Sequence, residues 1–230
     1  MAKRLTEEEL EHDPLIDFYT KIMGFYYAHK SEVIGGSIAL IVVIGSIIGY
    51  TTYSSSQEEE AQNRLASAEQ YFMEGDYQKA LTGSEADFTV GFEQIINNYG
   101  GTDAANLATY YAAVSEYQLG NYEQAQSYIQ EFDYPDGILG VGPISFHASL
   151  LSDMERHEEA AQKYIQAAEW DKNESTTPVN YFQAAEAFYL AGDIDQAEKY
   201  VDIVINEYPN ALTSGEPERL KGLLKIKKAA

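Results

Sequence analysis

The residues with chemistry to offer are mostly carboxylates: 37 Asp and Glu stand against 15 Lys and Arg, with four His and no Cys. Carboxylates do general acid–base work when two face each other across a cleft, and they hold metals when interleaved with His at short spacing. Here they are spread along the whole chain, the expected solvated face of an acidic protein. The sequence contains no nucleophile elbow, no phosphate loop, no HExxH and no paired metal-ligand spacing. His147 and His157 fall at a helix-packing place and a surface place, and are read that way rather than as ligands. The lack of Cys excludes disulfides and thiol catalysis. These observations predict neither an enzyme nor a cofactor. A formal charge of −22 also argues against nucleic acid as a partner, because two polyanions repel.

The other plentiful functional residue type is aromatic. There are 19 Tyr and nine Phe, and most of the Tyr lie in helical patterns that recur. Four segments share a turn and its sequel: GDYQKA from Gly75, GNYEQA from Gly120, ERHEEA from Glu155 and GDIDQA from Gly192. Successive turns, at residues 75, 120, 155 and 192, stand 45, 35 and 37 residues apart. A glycine permits the left-handed backbone that ends one helix, the large residue two places on plugs the gap between helices, and the alanine lets them pack closely. The pattern predicts a stack of helix pairs.

This pattern resembles the tetratricopeptide repeat. The likeness is best over 178–209, where Tyr181, Ala184, Ala185 and Phe188 occupy first-helix places and Ala197, Tyr200, Val204 and Pro209 follow. The second unit matches through Ala112, Ala113, Gly120, Tyr122, Ala125 and Pro135, with Glu116 where a large apolar residue is usual. The third has Glu155 for glycine, and the first carries an insertion over 82–91 before a helix resumes at Phe92. A basic amphipathic helix over 216–230 suits the polar-faced end cap that solenoids need. The resemblance implies an all-α fold: an α-solenoid of about four helix pairs plus a C-terminal capping helix. It also implies a binding groove lined by first helices, at Leu65, Phe72, Tyr110, Tyr117, Phe182 and Tyr189, with Ser145 and Ser152 in the third unit. Rings that instead pack against neighbouring helices are the alternative for these positions.

The stretch VIGGSIALIVVIGSIIGY over 33–50 has no charge and no proline. As a helix it reaches about 27 Å, the thickness of a bilayer's hydrocarbon core. Tyr26, Tyr27, Tyr50 and Tyr53 flank it, as suits the headgroup level. A buried core helix lacks a surrounding domain, and a cleaved signal would be shorter and earlier. Lys21 and Lys30 precede the run, whereas the first basic residue after it is Arg64, which predicts a cytoplasmic N-terminus. The expected layout is a cytoplasmic lead over 1–30, a transmembrane helix over 31–53 and an extracytoplasmic repeat domain over 54–230, joined by a Ser-rich juncture. Within the lead, TEEE over 6–9 has the form of a capping box. Leu15, Tyr19, Ile22 and Tyr26 form a helical stripe suited to a membrane face or a partner. Gly45 and Gly49 make a GxxxG pair that allows a second helix to approach.

In layout, with "SSSQEEEAQNRLASAEQYF" running from the span into the repeats and "GTDAANLA" opening the second, the chain resembles the YfgM-like ancillary subunits of the Sec translocon, Bacteroidetes-type members above all. That resemblance implies a single-pass protein of the bacterial inner membrane with periplasmic repeats. Its partners would be the lipid bilayer, the translocon, membrane-tethered periplasmic chaperones and extended client polypeptides. The alternative is a structural or assembly scaffold in another envelope complex.

Overall fold

Eleven helices and one two-stranded hairpin make up the computed structural model, which describes residues 14–211 and 215–229. The capping box expected over 6–9 lies outside the described residues. Two compact units, Met1–Ser56 and Gln57–Ala230, divide the chain.

In the first unit, Pro14 opens α1 (Pro14–Ala28), where a missing N–H costs nothing. The helical ladder carries on through His29, whose N–H bonds the Phe25 carbonyl and whose own carbonyl accepts from Val33. The next helix, α2 (Lys30–Met73), is 44 residues long, roughly 66 Å at 1.5 Å per residue. It is long and apolar enough to cross a membrane, and none of its most apolar stretch is buried by protein. Ser54, Ser55 and Ser56 stand inside this helix, and the boundary between the two compact units follows Ser56. Their small hydroxyl side chains cost only tenths of a kcal/mol in a helix interior, too little to interrupt a helix favoured on both sides.

In the second unit the end of α2 is the first helix of the first pair. Its partner is split in two: α3 (Tyr77–Thr82) and α4 (Phe92–Asn98) flank a hairpin of β1 (Gly83–Ser84) and β2 (Thr89–Val90). Ala80, Leu81, Phe92 and Ile95 from the two halves are all buried, so the insertion leaves the packing face intact. Gly91 makes this possible, because a Cβ there would fall against the Leu81 carbonyl. The following pairs are α5 (Asp103–Gln118) with α6 (Tyr122–Glu131), α7 (Ile138–Asp153) with α8 (His157–Trp170), and α9 (Thr177–Ala191) with α10 (Ile194–Glu207). The chain then forms α11 (Glu216–Ala229).

The four turns between paired helices are built alike. At each, one N–H reaches back three residues and the next reaches back five: Gly75 to Phe72 and Asp76 to Tyr71, Gly120 to Tyr117 and Asn121 to Glu116, Glu155 to Ser152 and Arg156 to Leu151, Gly192 to Tyr189 and Asp193 to Phe188. This is the Schellman arrangement, which satisfies carbonyls that a helix end leaves open. The third turn keeps it without glycine, with Glu155 at φ 59°. Three residues after each helix-starting residue comes the alanine of the motif, and Ala80, Ala125, Ala160 and Ala197 are all fully buried. Its N–H bonds the residue that caps the helix at 2.9–3.0 Å.

The cap α11 buries Leu220 and Leu224 against the last pair. Its basic side chains reach acidic ones on α10: Lys221 to Asp202 at 2.6 Å, and Lys228 to Asp195 at 2.7 Å and Glu198 at 2.6 Å.

Candidate protein-binding surface

The first helices of the pairs carry the positions expected to line a groove, and the structure sorts them into three groups. Leu65 and Phe182 are each only 5 % exposed and belong to the core. Their place on the first helix turns them toward neighbouring helices, so neither offers its side chain to a ligand. Phe72, Tyr110 and Tyr117 are half-buried and hold one another's repeats together. Phe72 lies 4.9 Å from Tyr111 and 5.6 Å from Tyr77, centroid to centroid. Tyr110 packs on Phe132 and Phe146, and Tyr117 on Tyr122 and Phe146, all within 5.3–5.8 Å. Rings at such distances favour each other by about 0.5–1.5 kcal/mol beyond the area they bury. The third group is Tyr189, whose recorded ring contact is with Lys227 Nζ, 4.6 Å above it.

The third unit's serines also divide. Ser145 donates to Asn180 Oδ1 at 2.7 Å and to the Val141 carbonyl at 2.8 Å, which pins α7 to α9. Ser152 lines a cleft of about 320 Å³ with Glu186, Tyr189, Leu190, Leu220 and Leu223. This cleft is formed by first-helix residues of the last two pairs and closed at one end by α11. Its walls are mixed: Leu190, 58 % exposed, and Leu223, 46 % exposed, stand beside Gln183, Glu216 and Arg219. The Glu186 carboxyl sits among them. Burial, with Glu216 beside it, raises its pKa above the usual carboxylate range against the pull of Arg219. Exposed apolar side chains set among polar and charged groups are what an extended peptide needs: side-chain burial for affinity, a charge for register.

Two contacts that build this surface are invisible to pattern reading. Glu58, which reads as one of a run of solvated glutamates, accepts from the N–H groups of Asp103 at 2.7 Å and Ala104 at 3.2 Å. It thereby caps α5 from the first pair, alongside Thr102, whose Oγ accepts from Ala105. Asn106 bonds both the N–H and the carbonyl of Asp133 at 2.9 Å, fixing the loop after α6. Both are side-chain-to-backbone bonds over long sequence separations, the first between repeats and the second within one, and only the folded stack brings the partners together. Gly45 and Gly49 lie on an open face of α2, where a Cβ would meet nothing within 4 Å.

The model of the tetratricopeptide repeat matches residues 107–137 and 180–211. These are the bulk of the second and fourth pairs, the two with glycine at the turn and an uninterrupted second helix. No curated protein matches the chain. The first pair keeps the glycine turn but has its second helix split by the hairpin, and the third keeps the turn with Glu155 in glycine's place. Repeats of this kind are generally binding modules without catalysis. This all-helical chain carries tetratricopeptide repeats and, through them, a protein–protein interaction module.

Proposed function

We propose that this protein is a membrane-anchored interaction module of the bacterial inner membrane. Residues 1–30 form a cytoplasmic lead, 31–53 the span, and 54–230 a periplasmic repeat domain. In this reading it is an ancillary component of the Sec translocon that links emerging polypeptides to membrane-tethered periplasmic chaperones. Gly45 and Gly49 would let the span pack against a neighbouring helix. The observation that carries the reading is the cleft at Tyr189, Leu190 and Leu223, where exposed apolar side chains stand beside the partly buried Glu186 carboxyl. An extended segment carrying apolar and basic residues suits it, and many different sequences meet that description. The strongly acidic surroundings steer basic segments toward it, an effect that weakens with salt.

The test is a photo-crosslinking residue placed at Leu190 in cells. Crosslinks to translocon subunits, to newly exported chains of many sequences and to a chaperone support the reading. A single crosslink to one folded envelope protein replaces it with an assembly scaffold. The packing of Phe72, Tyr110 and Tyr117 favours that second role, since it leaves a groove with fewer free rings to hold unfolded segments.

A further inference from the structure

A second cleft, of about 400 Å³, opens between the second helices of two successive pairs, α6 and α8, with α7 at its floor. It is separate from the row of first-helix positions described above. In a chain with 37 acidic residues, it holds a half-buried cation, Lys163, that makes no ion pair among the described residues. Lys163 Nζ bonds only the Gln166 amide oxygen, at 3.0 Å, and lies 5.6 Å from the centre of the Tyr134 ring. Burial alone lowers its pKa, and no carboxylate opposes that shift. The nearby Arg156 guanidinium is already engaged. Its Nε donates to Glu159 Oε1 at 2.7 Å, Nη2 reaches the other carboxylate oxygen, and Nη1 reaches Gln126 Oε1 at 2.6 Å. The Arg156–Glu159 pair is neutral as a unit, so the cleft holds one net positive charge.

The floor adds a buried polar pair. His147 is 4 % exposed, and its Nδ1 lies 2.7 Å from the Tyr134 hydroxyl. Burial, then the charges of Lys163 and Arg156, push its pKa down to about 4, so the ring is neutral at pH 7. Burial holds the Tyr134 phenol at about 12, so it keeps its proton. The hydroxyl and Nδ1 satisfy each other, the direction of the bond following the tautomer of the ring. The half-buried Tyr134 ring provides the apolar part of the wall, with Ile129 and Leu151 fully buried beneath, and the amides of Gln130 and Gln162 stand around it.

We propose that this cleft binds a monocarboxylate with an apolar body, its carboxylate seated on Lys163 and the apolar part against the Tyr134 ring. One net positive charge suits a monoanion rather than a phosphate dianion. The strongly acidic surface over most of the chain repels such a ligand, and in this cleft the local charge is reversed. The same chemistry occurs in a free small carboxylate and in the last residue of a polypeptide, and the test separates them.

The test uses the full chain in detergent micelles, titrated by calorimetry. The fluorescence of Trp170, the chain's one Trp, gives a second signal, because its ring lies 6.1 Å from that of Tyr134. The probes are N-acetyl-leucine, its uncharged amide, inorganic phosphate and a tetrapeptide ending in leucine with a free carboxylate. We expect N-acetyl-leucine to bind, and the amide and phosphate to bind at least about tenfold more weakly. Lys163→Gln should lower the affinity by a similar factor with an unchanged melt, while Lys163→Arg retains binding. Raising the pH toward about 10 should weaken binding to the natural chain but not to the arginine variant. A tetrapeptide that binds more tightly than N-acetyl-leucine identifies the ligand as a chain end; equal or weaker binding identifies a free small molecule. Equal binding of acid and amide, unchanged affinity in Lys163→Gln, or no binding of N-acetyl-leucine at about 10 mM overturns the proposal.

Discussion

The Tyr117 hydroxyl donates to Asp153 Oδ2 at 2.6 Å, joining the last turn of α5 to the last residue of α7, 36 positions further on. It is the shortest tie between the first helices of the second and third pairs, and it crosses the point where the third repeat lacks its glycine. The carboxylate holds the phenol's proton in place, and with burial raises the Tyr117 pKa to about 12. The folded pKa exceeds the unfolded value near 10, so the stabilisation is fully present below about pH 10 and is lost as pH rises toward 12. Tyr117→Phe should cost on the order of 1 kcal/mol, the usual value of a charge-assisted bond discounted for its partial exposure. A thermal-melt cycle with Asp153→Asn checks this: the double variant should lose little more than either single one.

Glu155 holds the left-handed conformation at φ 59° that glycine holds at the other three turns. An L residue with a side chain pays about 1–2 kcal/mol for that geometry. Glu155→Gly should therefore stabilise the chain by up to about 1 kcal/mol, after the greater chain entropy of glycine is set against the relieved strain. The measurement is the midpoint of chemical denaturation, and a lowered midpoint would mean that the Glu155 side chain contributes more than its backbone costs.

Ala197 is fully buried where α10 meets α9, and the N–H of the same residue bonds Asp193. Ala197→Leu adds three carbons to a closed contact and should cost about 1–3 kcal/mol. A melt unchanged by this substitution would contradict the helix-pair packing described here.

The turn motif is what the sequence made legible. GDYQKA, GNYEQA and GDIDQA combine a backbone requirement, a plug and a small residue within six positions, and local chemistry fixes the geometry. Even ERHEEA keeps the register, because the alanine and the hydrogen-bond ladder on either side determine the turn once Glu155 accepts the left-handed state. Groove lining was less legible. Phe72 and Tyr117 share their register with Tyr189, but exposure depends on what the next repeat places opposite, and that is a long-range fact. Phe146 fills the space beside Tyr110 and Tyr117, where the third unit presents serines in register, and so turns those rings into packing residues.

His147 gives the fold an acid limit. Its folded pKa, near 4, lies below the unfolded value of about 6.5. The depressed value means stability is fully present above about pH 6.5 and falls as pH drops toward 4, because the unfolded chain takes up the proton first. The groups around the ring are Tyr134, Lys163, Arg156 and Glu159. Of these, only Glu159 opposes the shift. The loss is on the order of 2–3 kcal/mol. His147→Gln should flatten the melting temperature between about pH 6.5 and 4 while the natural chain declines. Parallel curves for the two would place the acid sensitivity in the carboxylates instead.

The proposed topology and groove are tested together by two tyrosines that share one register position. Protease added to intact spheroplasts should digest the repeats and spare residues 1–30; protection of the repeats would remove the periplasmic reading and the export role with it. With the topology known, Tyr189→Ala is the informative groove variant. Its ring faces the cleft with Leu190 and Leu223 and touches Lys227 rather than another ring. Removing it should weaken capture of a basic, apolar peptide at least about fivefold, as expected for an aromatic anchor in a groove, while the melt shifts by only a few degrees. Tyr117→Ala removes a ring that packs on Tyr122 and Phe146 and a hydroxyl bonded to Asp153. That variant should lose about 2–4 kcal/mol of stability. Capture should then fall only as far as unfolding accounts for. If Tyr189→Ala collapses the fold and Tyr117→Ala spares it while abolishing capture, the binding face lies over α5, and the cleft beside α11 is only a seam in the packing.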